Sequence, residues 1–142
     1  MGNFEASKME GSMKRVVLID DDSTTNYLNK LIIERSELVD EVLTFDSAQE
    51  ALGFFSQNQS NEDESLVLLD INMPIMNGWQ FLDQYQAMSC SHSNKIVILT
   101  SSINPADKEM AEHKENVLEF KSKPLSLEMI NDLVTSYLSQ AS

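Results

Sequence analysis

The residues able to do chemistry in this chain are three carboxylates, a hydroxyl and an amine, each placed just beyond an apolar run. Asp20 and Asp21 follow Val16-Val17-Leu18-Ile19, and Asp70 follows Leu66-Val67-Leu68-Leu69. Thr100 and Ser101 follow Ile96-Val97-Ile98-Leu99, and Lys123 lies three residues after Val117-Leu118-Glu119-Phe120. Three carboxylates gathered in a partly desolvated cleft repel one another by about 1 to 4 kcal/mol per pair at about 4 Å, and a divalent cation relieves that repulsion. The candidate ligands are all oxygens, with neither His nor Cys among them, which favours a hard ion such as Mg²⁺ that keeps several waters and also binds phosphoryl oxygen. An aspartate can itself be a covalent nucleophile, forming an acyl phosphate, when metal and cation neutralise the transferring group. Asp70 is the best placed for that role. Lys123 supplies a flexible point charge for phosphoryl oxygens and the Thr100 hydroxyl a hydrogen-bond donor. One Asp or Thr after a strand is usually only a turn or a cap; the joint pattern carries the chemistry.

The elements that must hold these groups can be read from the apolar pattern. Three of the runs above are short, continuous and mostly β-branched or Leu, as in strands buried on both faces of a parallel sheet, and Val117 to Phe120 supplies a fifth strand. Glu41-Val42-Leu43-Thr44-Phe45 supplies a further, second strand. Between the strands lie helical patterns. Ser23 is expected to cap a helix with Tyr27, Leu28, Leu31 and Ile32 as its apolar face. Ser47 and Glu50 form a capping box for a helix reaching Phe55. Asn72-Met73-Pro74-Ile75-Met76-Asn77-Gly78 should loop before a helix that turns Trp79, Leu82 and Tyr85 inward. Asn104-Pro105 is a cap and first-turn pair, and Leu127, Ile130, Leu133, Val134, Tyr137 and Leu138 mark a last amphipathic helix. Alternating strands and helices with right-handed crossovers imply a doubly wound α/β domain with a parallel sheet and helices on both faces. In such sheets the ligand site lies outside the carboxyl ends of the strands, at the switch point in strand order, and all the reactive-looking residues map there.

At 142 residues and 42% hydrophobic content the chain suits one globular domain able to bury a core without disulfides. A single cysteine, Cys90, excludes an internal disulfide and a cysteine clamp for zinc. The net charge of −13 argues against direct binding to nucleic acid or to anionic lipid. No apolar run approaches the roughly 18 residues of a membrane span, and no signal peptide is evident, so a cytoplasmic location is expected. Residues 1–12 are polar and aperiodic and read as a disordered tail or an expression remnant, with the folded domain over residues 13–142. The polar stretches Asn58 to Ser65 and Ser89 to Asn94 read as loops.

Taken together, Asp20-Asp21, Asp70-x-x-Met73-Pro74-x-x-x-Gly78, Thr100-Ser101 and Lys123-Pro124 closely resemble the receiver domain of two-component response regulators, in order and in spacing. The resemblance covers roughly residues 14 to 140. It implies a flavodoxin-like, five-stranded sheet in the order 2-1-3-4-5, and a stand-alone receiver of the chemotaxis-regulator type. It further implies that Asp70 accepts a phosphoryl group from a phosphohistidine on a sensor histidine kinase or a histidine phosphotransfer protein. By the same resemblance Asp21 is a direct Mg²⁺ ligand, Asp20 acts largely through water, and Asp70 and the Asn72 backbone carbonyl complete the metal set. Switching is implied to move Thr100 and the strand-five aromatic, Phe120, inward, so as to alter binding of a separate protein target. Phe120 lacks the hydroxyl of the tyrosine common there. The Lys123-Pro124 bond is implied to be cis. The oligomeric state implied is a monomer or a phosphorylation-dependent dimer, and the protein is expected to be a switch whose only reactions are its own phosphotransfer and slow autodephosphorylation.

Two other readings compete. Val17-Leu18-Ile19-Asp20-Asp21-Asp22-Ser23-Thr24 is also similar to the Asp-x-Asp-x-Thr motif of haloacid-dehalogenase-like phosphatases, with Asp20 as nucleophile, Asp22 as general acid, and Thr100 and Lys123 following in order. That family needs a further strand-end acidic pair after the lysine, and the reading leaves Asp70 and the Met73-Pro74 loop without a role. A receiver that binds a partner without phosphorylation is the other; against it, every residue the chemistry needs is present.

Overall fold

The computed structural model describes residues 14–57, 64–88 and 94–138. Within them strands and helices alternate: β1 (Arg15–Ile19), α1 (Ser23–Ser36), β2 (Glu41–Phe45), α2 (Ala48–Gln57), β3 (Ser65–Leu69), α3 (Gly78–Tyr85), β4 (Lys95–Thr100), α4 (Pro105–Glu112), β5 (Val117–Ser122) and α5 (Leu127–Tyr137). The strands pair in parallel in the order β2-β1-β3-β4-β5, the doubly wound arrangement expected. Continuous apolar runs form the inner strands because both of their faces are covered. All of β3 is buried, as is β1 beyond Arg15 and β4 beyond Lys95. The edge strands β2 and β5 are only partly covered.

Alternation along each strand divides the core into two layers. Val17, Ile19, Val67, Leu69, Ile96 and Ile98 pack with Ala51, Phe55, Phe81 and Tyr85 of α2 and α3. Val16, Leu18, Leu66, Leu68, Val97 and Leu99 pack on the other face with Ile33 of α1 and Ile130, Leu133 and Val134 of α5. Phe81 and Tyr85 stack at 5.6 Å between ring centroids and anchor α3.

Three local expectations need correction. Ser23 is the first residue of α1, and the cap is Asp22, whose carboxylate accepts from the Thr24 and Thr25 amides. Most of the apolar face expected of α1 points outward: Tyr27, Leu28 and Leu31 are 61%, 51% and 44% exposed, and only Ile32 packs, partly buried, against the core. The inward stripe is Asn26, Asn29 and Ile33, at the same helical spacing but turned by about 100° per residue of phase. On α3 the buried side chains are Phe81, Leu82 and Tyr85, while Trp79 is half-buried at the edge of the layer. Two further signals hold in part. Of the Ser47–Glu50 capping box the serine half is seen, the Ser47 hydroxyl accepting from the Glu50 amide at 3.1 Å. On α5, Ile130, Leu133, Val134 and Leu138 are buried and Tyr137 is partly buried, but Leu127, in the first turn, is exposed. Asn104 caps α4 with Pro105 in its first turn, as expected. Residues 1–12, Cys90 and most of the two polar loops lie outside the described residues.

Candidate functional site at the carboxyl edge of the sheet

Backbone ladders carry β1 and β3 one residue past their last apolar position. The Asp20 amide donates to the Phe45 carbonyl at 3.1 Å and the Asp70 amide to the Ile19 carbonyl at 2.9 Å. Both aspartates are thereby fixed side by side at the point where the strand order reverses. Asn26, reaching in from α1, donates through Nδ2 to the carbonyls of Asp20 (2.8 Å) and Phe45 (3.3 Å) and fastens the helix to these strand ends. Sequence pattern gives no hint of this residue, since it lies on the face that apolar periodicity assigns to solvent.

One carboxylate oxygen from each of Asp20, Asp21 and Asp70 lies within 4.8 Å of the others. Asp20 and Asp70 are buried and Asp21 is exposed. Lys123 arrives from the end of β5, its amide held by the Thr100 carbonyl at 2.9 Å. Its ammonium donates to Asp20 Oδ2 at 2.5 Å and to Asp70 Oδ2 at 3.3 Å. Burial works against the charged lysine, but the Asp20 hydrogen bond and the charges of Asp70 and Asp20 outweigh it, and its pKa stands above the ordinary value. The Lys123-Pro124 bond is cis.

The loop after β3 is built around the second buried aspartate. The Asn72 amide donates to Asp70 Oδ1 at 3.2 Å. Met73 is buried, and the Met76 amide donates back to the Pro74 carbonyl at 2.7 Å. This is a γ-turn with Ile75 at its centre, φ 69°, a conformation that β-branched residues rarely take. Asn77 then caps α3 in a reciprocal capping box with Gln80. Gly78 starts the helix directly against the Asp70–Ile71 backbone. A methyl group at this position would stand 2.7 Å from Ile71 Cα and 2.8 Å from the Asp70 carbonyl oxygen.

Thr100 and Phe120 occupy the other side of the edge. Thr100 ends β4 fully buried, and its hydroxyl oxygen accepts from the Ser102 amide at 3.2 Å. Phe120 is paired with Ile98 in the β4–β5 register and packs half-buried against the α2–α3 layer. Sequence reasoning missed two residues next to Thr100. The Ser102 hydroxyl donates to Asp107 Oδ2 at 2.5 Å, and Trp79 Nε1 donates to Asp107 Oδ1 at 3.4 Å. Nothing in the spacing of a serine in a loop and an aspartate in a helix marks such a pair.

The donor set suits a hard divalent cation. Three carboxylates against one ammonium leave two negative charges in excess, all donors are oxygens, and the exposed side at Asp21 leaves room for water ligands.

Comparison with known proteins agrees with this geometry. Residues 16–135 match the family model of the response regulator receiver domain, and the chain belongs to that family, a signalling switch of two-component systems. A two-component response regulator from Cytophaga hutchinsonii is 30% identical, with a TM-score of 0.81 over 91% of this chain and 99% of that one. The chemotaxis protein CheY4 of Vibrio cholerae, at 21% identity and a TM-score of 0.71 over 89% of this chain and 100% of that one, shares the fold. The two-component response regulator ORR1 of Oryza sativa subsp. japonica is 27% identical over 103 residues, 68% of this chain. The chain spans 45% of that curated relative's length. Among the described residues no helix is long and apolar enough to cross a membrane.

Proposed function

We propose that Asp70 is the phosphoacceptor of this receiver domain and takes the phosphoryl group from a phosphohistidine of a sensor histidine kinase or a histidine phosphotransfer protein. The observation that carries the reading is the position of Asp70: buried at the switch point, one oxygen held by the Asn72 amide and the other by the Lys123 ammonium, within a cluster of three carboxylates. An Asp70 oxygen attacks phosphorus as the P–N bond of the donor breaks, and the departing imidazole keeps the electron pair and takes up a proton. Asp20, Asp21, Asp70 and the Asn72 carbonyl would hold Mg²⁺, which supplies positive charge against the transferring group. Lys123 is ready to follow Asp70 with its charge, and the Thr100 hydroxyl donates to a phosphoryl oxygen. Thr100 and Phe120 then transmit the change to a separate protein target. On this reading the protein, cytoplasmic and acting as a monomer or a phosphorylation-dependent dimer, contacts neither nucleic acid nor membrane directly.

The phosphatase alternative asks Asp22 to act as a free general acid. Asp22 is instead committed to the α1 amides, and the Thr25 hydrogen bonds, with that of Thr24, hold its carboxyl below the usual range. Incubation with Mg²⁺ and acetyl phosphate, read by intact mass, tests the proposal. Wild-type protein should gain one phosphoryl group and Asp70→Asn none, at unchanged circular dichroism. Full labelling of Asp70→Asn together with loss of labelling in Asp20→Asn would transfer the nucleophile to Asp20.

A further inference from the structure

The carboxylate of Asp107 sits between two parts of the molecule that converge on the acceptor. Asp107 lies in the first turn of α4, where one oxygen accepts from the Ser102 hydroxyl at 2.5 Å and the other from the Trp79 indole at 3.4 Å. Ser102 organises the whole β4–α4 connection. Its amide donates to the Thr100 hydroxyl oxygen, and its own oxygen accepts the Asn104 amide at 3.2 Å. Trp79 is the second residue of α3, next to Gly78, whose Cα packs on the Asp70–Ile71 backbone. One carboxylate thus ties the Thr100 loop to the helix that abuts the acceptor.

We infer that Asp107 is a positioning residue for Thr100, a brace that holds the Thr100–Asn104 loop in the arrangement where the Thr100 hydroxyl is engaged with the Ser102 amide and must be released for Thr100 to turn towards a phosphoryl group. The inference rests on the acceptor role of Asp70. A short hydrogen bond from a hydroxyl to a carboxylate is stronger than a neutral one, so the brace favours the state in which it forms. Thr100 cannot carry its hydroxyl towards a phosphoryl group without disturbing the Ser102 amide that it now accepts from. Any donor that needs the closed state therefore works against the Ser102–Asp107 bond, and loss of that bond enlarges the closed population.

The test is the initial rate of labelling of the full chain by acetyl phosphate at saturating Mg²⁺. Ser102→Ala and Asp107→Ala should each raise it by about three- to tenfold, the worth of one hydrogen bond, and the double variant no further than either alone. Asp107→Asn keeps one acceptor oxygen for the Ser102 hydroxyl but neither the charge nor the second acceptor used by Trp79, so its rate should fall between the wild type and Asp107→Ala. Ser102→Ala separates the brace from the favourable charge of Asp107 at the α4 N-terminus, because it removes the bond and leaves that charge intact. Trp79 is the chain's single tryptophan, so its fluorescence should change on phosphorylation of the wild type and change less in Asp107→Ala, where the indole is already released. Wild-type labelling with unaltered or slower rates in both alanine variants, or a rate that follows charge alone, would overturn the brace. An unlabelled wild type would overturn the acceptor reading and this one with it.

Discussion

At the ends of β1 and β3, Asp20 and Asp70 share one ammonium, their amides continue the sheet ladder, and Gly78 lets α3 close down on the Asp70 backbone. At the ends of β4 and β5, the groups assigned to switching are engaged elsewhere: the Thr100 hydroxyl with its own loop, and Phe120 with the α2–α3 layer. On the proposed function, the first half already holds its carboxylates and ammonium in the arrangement the chemistry would use, so little reorganisation would oppose it. The second half has local partners to give up, and that cost would make phosphorylation detectable as a change of surface. The proposed acceptor and the proposed reporter are thus neighbouring pairs of strands in one sheet.

Substitutions can sharpen or break this contrast. The largest expected effect is at Gly78. Alanine there must displace backbone next to Asp70, and overpacking of this kind costs about 2 to 3 kcal/mol, visible as a lower urea midpoint at unchanged slope. An unaltered midpoint would show that the Asp70 backbone can give way to a methyl group at position 78. Next is Ile75, 87% exposed and at φ 69°. Ile75→Gly gives up almost no burial and relieves a conformation that costs a non-glycine residue about 1 to 3 kcal/mol, against about 0.5 to 1 kcal/mol for the added freedom of the unfolded chain, so it should stabilise by up to about 1 kcal/mol; destabilisation would mean that the isoleucine side chain makes up for its strained backbone.

The smallest effect concerns β5. Tyr137 donates to Glu119 Oε2 at 2.6 Å, and this bond, with burial and the carboxylate charge, pushes the phenol up to about 12 from 10.0. The same bond leads the causes that hold Glu119 below its ordinary value, with Lys121 assisting. The signs define a window. The pair's contribution is complete from above the usual carboxylate range to below pH 10, is lost as pH falls through the Glu119 range, and is lost again as pH rises towards about 12. Glu119→Gln should bring the Tyr137 phenolate transition, followed by ultraviolet absorbance, back towards 10, with little change in folding at neutral pH. A transition that stays put would remove Glu119 as its cause.

Most of the fold and the acid cluster could be read from the chain because both rest on local pattern. Buried strands announce themselves as apolar runs, and Asp20, Asp70 and Lys123 sit at fixed offsets from the ends of such runs. The phase of α1 was not legible. Tyr27, Leu28 and Leu31 have helical spacing, but so do Asn26, Asn29 and Ile33, and hydrophobicity alone chooses the wrong set because Asn26 is buried to bond two strand-end carbonyls. Trp79 was misplaced for a similar reason, since its indole N–H seeks Asp107 and so keeps the ring at the border of the core. The brace itself depends on loop geometry between β4 and α4, which no periodicity encodes.

The most direct test of the account is to find where the phosphoryl group goes. Protein labelled by acetyl phosphate in the presence of Mg²⁺ can be reduced with borohydride, which converts an aspartyl phosphate to homoserine, and then mapped by peptide mass. Homoserine is expected at position 70 and none at 20, 21 or 22. Homoserine at position 20, or a phosphoryl adduct that borohydride leaves intact, would contradict it.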